Sequence, residues 1–294
     1  MLFAAVNMAV LAMITLVVQA LGLERYLAAR GVDLTAVLAL SVVFGFGGSF
    51  LSLALSKRMA VLTMGVAIIR SPASGGEHWL LERIGAHAER LGLALPEVGI
   101  FESPDMNAFA TGARRNHALV AVSTGLLRNM APQQLDAVLG HEMSHVANGD
   151  MVTLALLQGV LNTFVMFLAR VLGTAIDAAI GGRREQQAGE GLVYFASVIV
   201  LQIVFGVLAT LIVMAYSRHR EFRADSGGAH LAGRDNMIGA LRVLQSAEGG
   251  ALPGQLRAFG IHDGTGHAWP VRLFMSHPPL AARIAALEAL RPAR

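Results

Sequence analysis

Long runs of apolar residues, each without a single charge, alternate along this chain with segments in which apolar and polar positions recur at regular spacing. A helix that crosses a bilayer needs about 20 apolar residues. The runs that meet this length are residues 2–23, 34–56, 151–169 and 191–217. We therefore predict about four transmembrane helices.

The third run is the least regular, because Arg170 and Asp177 follow it closely. These side chains would pair with each other, line a polar cavity or mark the end of the span. The first run lacks a basic leader and exceeds the usual apolar length of a signal peptide, so we interpret it as a retained anchor.

The runs divide the chain into four segments. Residues 1–56 are predicted to form a transmembrane hairpin and residues 151–216 a second transmembrane pair. Residues 57–150 and 217–294 are more polar and are predicted to form the two parts of one soluble domain.

Both periodicities of regular secondary structure occur in the soluble segments. The predicted elements are a helix over 77–91, strands over 98–101, 108–111 and 118–123, and helices from Pro132, over 235–247 and over 278–290. The expected fold is a mainly α membrane protein that carries a soluble α+β domain with a small antiparallel sheet.

Composition supports the membrane assignment and limits the chemistry. Hydrophobic residues make up 54% of the chain and charged residues only 15%, whereas soluble domains average about 25% charged. Cysteine is absent, which excludes disulfides and thiolate metal ligands. The net charge is only +3, and no basic patch interleaved with aromatic residues indicates a nucleic-acid partner.

The distribution of Lys and Arg near the ends of the spans predicts an orientation. Cytoplasmic loops carry the excess of these residues. One side holds Lys57, Arg58, Arg70, Arg218, Arg220 and Arg223, and the other holds Arg25, Arg30, Arg183 and Arg184. Six against four places both termini and both soluble segments in the cytoplasm.

His141-Glu142-Met143-Ser144-His145 is the strongest chemical signal in the chain. Residues four apart share one face of a helix, so His141 and His145 can direct two imidazoles at one metal ion. Glu142 lies one position round and can act as a general base toward water at that metal. The alternative is a chance match on an amphipathic helix.

A catalytic zinc site needs a third protein ligand, and Glu221 is the best candidate. Asp225 lies four residues further on, so both carboxylates would share a helix face. Glu221 would bind the metal, and Asp225 would accept the second ring N–H of His141. The alternative is a solvated acidic face balanced by Arg220 and Arg223.

Two further segments join these motifs: residues 107–112 (Asn-Ala-Phe-Ala-Thr-Gly) and residues 276–280 (Ser-His-Pro-Pro-Leu). The four motifs, in this order and with these apolar runs, resemble the HtpX-type membrane zinc metalloproteases, distant relatives of the CAAX prenyl proteases. The resemblance covers essentially the whole chain. It implies a zincin-like catalytic domain in the cytoplasm and one Zn²⁺ held by His141, His145 and Glu221.

The resemblance also assigns roles to residues that chemistry alone leaves open. Asn107 and His277 are implied to stabilise the oxyanion, although Asn107 could instead cap a turn and His277 could start a helix. A predicted edge strand can bind an extended peptide by strand addition. The residues implied to bind substrate in this way are Asn107, Ala108, Phe109, Ala110 and Thr111.

The implied function is zinc-dependent cleavage of membrane or unfolded polypeptides at the cytoplasmic face of the inner membrane, in membrane protein quality control and the stress response. The site would lie near the membrane surface, because His145 precedes one span and Glu221 follows another. The remaining histidines lack ligand spacing and are expected at the surface. They are His78, His87, His117, His219, His230, His262 and His267.

Three alternatives remain open at the level of the sequence. An intramembrane site-2-type protease uses the same pentapeptide inside a span, but polar residues such as Asp136 and Asp150 around this motif indicate a wetted one. A non-catalytic zinc-binding or transport protein would use the histidines without Glu142. A prenyl-protein protease would carry more spans. The same ligand set also serves non-haem iron.

Overall fold

The computed structural model describes residues 33–180, 191–247 and 275–290. In chain order its elements are α1 (Leu34–Met64), β1 (Ala67–Ile68), α2 (Gly75–Arg90), β2 (Glu97–Phe101), β3 (Ala108–Thr111), a 3₁₀ turn (Arg115–His117), β4 (Leu119–Ser123), α3 (Thr124–Asn129), α4 (Pro132–Asn148), α5 (Asp150–Ile180), α6 (Leu192–Ala232), α7 (Arg234–Ala247) and α8 (Leu280–Ala289). The first predicted span lies outside the described residues.

The described residues form two compact units. The helical unit contains residues 33–52, 154–180 and 191–213, and the mixed unit contains residues 53–153, 214–247 and 275–290. The chain passes between them at 52/53, 153/154 and 213/214. The predicted segment boundaries were 56/57, 150/151 and 216/217.

Three helices in the described part of the chain are long and apolar enough to cross a membrane: α1, α5 and α6. Arg170 does not end α5, which continues to Ile180. Its guanidinium donates to the carbonyl of Met166 in the same helix, at 3.3 Å. A long side chain can satisfy part of its hydrogen bonding along its own helix, so one arginine need not end the helix.

Within the helical unit, α1 and α5 approach closely through small residues. A Cβ added at Gly45 would stand 2.4 Å from Thr163 Oγ1, and one added at Gly159 would stand 2.7 Å from the ring of Phe46. Small residues permit such approach where lipid supplies no hydrophobic driving force between helices.

The sheet of the mixed unit has the order β1-β2-β4-β3. It is mixed, and the prediction of a purely antiparallel sheet was wrong in this respect, because β2 and β4 run parallel. Every residue of β4 is buried, so this strand takes the centre, between β2 and β3. The chain reverses from β3 into β4, which gives β4 the direction of β2.

One face of the sheet carries the principal core. Alternate residues such as Val98, Ala108 and Val120 join apolar side chains of α2, α4, α7 and α8 in one buried cluster. Phe109 faces the other way and packs on Phe101, with ring centroids 5.6 Å apart. The period of two along the strands therefore separates a core face from a second, smaller cluster.

Helix α4 begins and ends with recognisable signals. Pro132 occupies the first turn, and the Gln134 side chain accepts a hydrogen bond from the Ala131 N–H at 3.2 Å. Gly149 ends the helix in the left-handed conformation, with φ of 67°, a position that favours glycine. Helix α5 starts at the next residue, Asp150.

His87 was expected at the surface and is buried instead, with 1% of its area exposed. Its Nε2 lies 2.8 Å from Asp136 Oδ1, and Arg83 donates to both oxygens of the same carboxylate. Asp136 was expected to be wetted and is also buried. A buried carboxylate requires such partners, and they join α2 to α4.

Candidate metal centre

The two histidines of α4 face one point. Both are buried, and their Nε2 atoms lie 3.1 Å apart. Each ring has its Nδ1 against a carboxylate, so each Nε2 is the atom left to bind a ligand. An imidazole held in this way presents a lone pair in a fixed direction.

Glu221 comes from α6 and completes a three-atom cluster. Its Oε2 lies 3.6 Å from His141 Nε2, and its Oε1 lies 3.3 Å from His145 Nε2. Ligands about 2.0–2.1 Å from a tetrahedral metal stand about 3.3–3.4 Å from one another. The measured spacings bracket this value, so the described residues fit a small divalent metal.

Close contact between α4 and α6 allows this arrangement. A Cβ added at Gly228 would stand 3.0 Å from both the Ala137 carbonyl and the His141 amide nitrogen. A Cβ at Gly227 would stand 2.1 Å from Ser144 Oγ. The two glycines leave room for the backbone of α4, and Glu221 and Asp225 lie two turns or less before them.

Behind His141 lies a tightly bonded carboxylate. His141 Nδ1 is 3.0 Å from Asp225 Oδ1. Arg283 of α8 donates to both oxygens of Asp225, at 2.8 and 2.5 Å. Arg283 is fully buried, and its position between Asp225 and Glu221 raises the pKa of its guanidinium although burial opposes this.

A second carboxylate lies behind His145. His145 Nδ1 is 2.6 Å from Asp150 Oδ2, and Arg220 Nη1 is 3.8 Å from the same oxygen. Asp150 and Arg220 are both buried. Arg220 donates to Ser217 Oγ at 3.2 Å, while its Nε and Nη1 have no hydrogen-bond partner in the described part of the chain. Arg220 is therefore bound less closely to Asp150 than Arg283 is to Asp225.

These carboxylates change the proton affinity of the histidines. Burial alone lowers the pKa of His141, but hydrogen bonds with Asp225 and Glu221 outweigh it and raise that pKa to about 9. The pKa of His145 is likewise raised against its burial, by hydrogen bonds with Asp150 and Glu221. A metal ion must therefore displace protons from the site at neutral pH.

The remaining predicted site residues lie as follows. Glu142 is buried on α4 between the two histidines, 4% exposed. His277 Nδ1 lies 2.6 Å from Glu221 Oε2. The backbone of Asn107 bonds to Ser123, and its buried Oδ1 has no hydrogen-bond partner among the described residues. Its side-chain oxygen therefore caps no turn.

Strand β3 is an edge of the described sheet. The Asn107 carbonyl accepts from the Ser123 amide at 2.8 Å, so residues 107, 109 and 111 form the pairs that are hydrogen-bonded to β4. In an antiparallel ladder the intervening residues direct their N–H and C=O groups the other way. Ala108 and Ala110, both buried, therefore direct their backbone N–H and C=O groups away from β4.

Sequence reasoning missed three of the buried charges at this centre. Asp150 was expected to be wetted, and Arg220 was interpreted as a surface counterion or a topology signal; both are buried, with Arg220 Nη1 3.8 Å from Asp150 Oδ2. Arg283 gave a usable signal. It occurs at helical spacing with Leu280, Ile284 and Leu287, all of them buried, and an arginine on an apolar face needs a buried acid.

Comparisons with known proteins agree with this geometry. The model of Peptidase family M48 matches residues 76–291. The chain is 52% identical over 290 residues to the protease HtpX homolog of Thiobacillus denitrificans, with 99% of this chain and 98% of that protein covered. It is 54% identical over 289 residues to the protease HtpX of Stenotrophomonas maltophilia, with 98% and 96% covered.

The fold also has a relative of known structure. The crystal structure of S. mikatae Ste24p matches 97% of this chain and 66% of its own, with a TM-score of 0.61 and 18% sequence identity. At that identity the match concerns the fold alone. The sequence relatives, the family match and the buried His-His-Glu cluster together show that this chain belongs to Peptidase family M48 and is a membrane-bound metalloprotease of the HtpX type.

Proposed function

We propose that the protein is a zinc-dependent endopeptidase that cleaves membrane or misfolded proteins at the cytoplasmic face of the inner membrane. The observation that carries this proposal is the spacing of His141 Nε2, His145 Nε2 and Glu221, at 3.1–3.6 Å. Two imidazoles and one carboxylate, with a fourth position left open, are the ligand set of catalytic zinc. Bound zinc would polarise the scissile carbonyl and make water acidic.

Glu142 is the proposed general base. It is next to His141 on α4 and is buried, so its carboxylate acts in a poorly hydrated site. It takes a proton from the attacking water and later gives it to the leaving amine. The glutamine variant keeps the shape and removes the basic oxygen, which makes it the appropriate test.

His277 and Asn107 are the proposed oxyanion residues. Because His277 Nδ1 bonds to Glu221, its Nε2 can donate to an oxyanion only when the ring carries both protons. The Asn107 N–H donates to Ser123 Oγ, and the Asn107 carbonyl accepts from the Ser123 N–H. These bonds hold its side-chain amide in place for a substrate.

Substrate binding is proposed at the outer edge of β3. The backbone groups of Ala108 and Ala110 that point away from β4 would bind an extended polypeptide as an added strand, together with Asn107, Phe109 and Thr111. Such contacts use the substrate backbone and demand little of its side chains. This suits an enzyme that acts on unfolded segments of many proteins.

The two carboxylates behind the histidines are proposed to position them. Asp225, held by Arg283, fixes the ring of His141, and Asp150, beside Arg220, fixes the ring of His145. Partners of this kind raise metal affinity by orienting the ligand and setting its tautomer. None of the four touches substrate, so they are positioning residues.

The test uses the full chain in detergent micelles with zinc and casein, an unfolded substrate. Wild type and Glu142→Gln are compared for cleavage, and bound metal is quantified in both. We expect about one zinc per chain in each protein and cleavage by wild type alone, lost on chelation. A loss of about 10²-fold or more in the variant is the usual effect of removing a general base.

Two outcomes would contradict the proposal. Equal cleavage by both proteins would assign the activity to a contaminant or another site. Active protein that contains iron instead of zinc would mean that the proposed ligands bind a different metal, since the same ligand set binds either.

A further inference from the structure

A cleft of the mixed unit lies beside the proposed metal ligand His145. It is a small cleft that opens partly to solvent. Val146, Met151 and Val152 provide apolar surface, and His145 forms part of the wall. The mechanism proposed above leaves this space without a role.

The cleft is continuous with the edge strand. Thr111, the last residue of β3, and Gly112 both line it. Gly112 has φ of 141°, and a Cβ there would stand 2.9 Å from the His117 carbonyl. The backbone turns tightly after β3. The cleft therefore lies next to the strand on which the substrate is proposed to bind.

Two arginines give the cleft its charge. Arg114 and Arg115 line it, and none of the described residues that line it is acidic. Neither arginine forms an ion pair within the described residues. A Cβ added at Gly149 would stand 3.2 Å from Arg115 Nε and 3.4 Å from its Nη2. The glycine therefore leaves room for the guanidinium over the end of α4.

Strand polarity fixes which part of the substrate would reach this cleft. Asn107, the proposed oxyanion residue, precedes β3, and Thr111 ends it. An added strand that runs antiparallel to β3 places residues on the N-terminal side of the scissile bond beside Thr111. The cleft would therefore receive a side chain that precedes the cleaved bond.

We propose that this cleft is a specificity subsite for a glutamate or aspartate on the N-terminal side of the scissile bond. The aliphatic part of the side chain lies on Val146 and Met151, and its carboxylate meets the guanidinium of Arg115, with Arg114 adding charge. Arg–carboxylate pairs can be bidentate, which adds geometric selectivity. The inference rests on the proposed endopeptidase function and on strand addition at β3.

The test maps the cleavage sites of dephosphorylated casein by mass spectrometry. Wild type is compared with Arg115→Glu, Arg115→Met and Arg128→Glu, the last an exposed arginine outside the cleft. We expect acidic residues to be enriched about two- to fivefold at one position before the cut, the range of a partly exposed ion pair. The enrichment disappears in Arg115→Met, reverses toward lysine in Arg115→Glu and persists in Arg128→Glu.

Each other result overturns the proposal in a recognisable way. Efficient, Glu142-dependent cleavage without acidic enrichment, or with an enrichment that Arg115→Glu leaves intact, would refute the subsite and keep the protease. Arg115 would then serve only to stabilise the carboxyl end of α4, and Arg115→Met would lower the melting temperature without changing the cleavage sites. Cleavage equal in wild type and Glu142→Gln would refute the proposed function and the subsite together.

Discussion

His141 illustrates how one side chain at this site depends on groups from three helices. Its imidazole lies on α4, the carboxylate behind it on α6, and the arginine that holds this carboxylate on α8. The carboxylate keeps the ring oriented, and the arginine keeps the carboxylate ionised in a buried site. Removing any one of them leaves the other two buried without a full set of partners.

Metal binding should depend on pH through these contacts. Because the pKa of His141 is raised to about 9 without metal, a proton occupies the ring at neutral pH. Apparent zinc affinity should therefore rise about tenfold per pH unit for each proton released, and level off above pH 9. Asp225→Asn should lower the affinity by about 10–100-fold and shift the levelling to lower pH.

Competition with a chromophoric chelator between pH 6 and pH 9 measures both effects. Asp235→Asn is the matched control, because Asp235 is an exposed acid away from the ligands. An affinity for Asp225→Asn that matches wild type at every pH would show that Asp225 does not orient His141.

The carboxylate of Asp136 should contribute to stability in a pH-dependent manner. Burial alone raises its pKa, but hydrogen bonds with His87 and Arg83 lower it below its usual range. Its stabilising contribution is therefore present at neutral pH and is lost as pH falls from about 4 through the lowered pKa. Asp136→Asn should lower the free energy of unfolding by about 1–2 kcal/mol at pH 7. This is the lower part of the range for hydrogen bonds to a charged group, because Arg83 is partly exposed.

Thermal unfolding of wild type, Asp136→Asn and Glu89→Gln from pH 7 to pH 3 is the measurement. Glu89 is an exposed acid of the same helix as His87. The difference in melting temperature between wild type and Asp136→Asn should become smaller toward pH 3, while Glu89→Gln should have the melting temperature of wild type throughout. A difference in melting temperature that stays constant with pH would mean that Asp136→Asn destabilises the protein through lost packing and not through lost charge pairing.

Arg283, which was missed, differs in one physical respect from the residues that were predicted from sequence. His141, His145, Glu221 and Asp225 could be proposed because helical spacing relates each pair along the chain. Arg283 lies 58 residues from its partner Asp225, and no local pattern encodes that contact. Only its place on an apolar helix face indicated that a buried acid must exist.

At the scale of elements, the contact of α4 with α6 sets the distance between the ligands. Gly228→Ala should destabilise this contact, because the added Cβ meets backbone atoms of α4 at 3.0 Å and backbone cannot move as a side chain can. Overpacking of this kind lowers the free energy of unfolding by about 1–3 kcal/mol. Zinc affinity should fall with it, since Glu221 is carried by the same helix.

Gly206→Ala is the matched control, because it makes the same change on α6 where no atom lies within 4 Å. Alanine favours a helix over glycine, so this control should be neutral or slightly stabilising. Melting temperature and zinc affinity are measured for both variants. Equal zinc affinity in Gly228→Ala and wild type would show that the helices tolerate separation without loss of the site.

Periodicity predicted most elements of the mixed unit but not their arrangement. Strand β3 has the predicted bounds, 108–111, and α4 starts at Pro132 as expected. Strand β1 has two residues, too few for any pattern. The parallel pairing of β2 with β4 depends on which strand is most buried, and β4 alone is apolar enough on both faces to take the centre.

At the scale of the molecule, the distribution of charge predicts which side of the membrane carries the site. Six Lys and Arg follow the spans at 34–56 and 191–217, against four on the opposite side. A bias of this size predicts orientation less strongly than an excess confined to one side. The chain contains no cysteine, so single cysteines can report the orientation without background.

Cysteines at Arg70 and Arg183, each in the Glu142→Gln chain to prevent self-cleavage, should react from opposite sides. A maleimide that does not cross membranes should label Arg183→Cys in intact spheroplasts, and Arg70→Cys only after permeabilisation. The cysteine-free parent should stay unlabelled in both. Labelling of Arg70→Cys in intact spheroplasts would place the soluble segments outside the cytoplasm. The substrates would then be sought among exported proteins, because an enzyme reaches only the chains exposed on its own side of the bilayer.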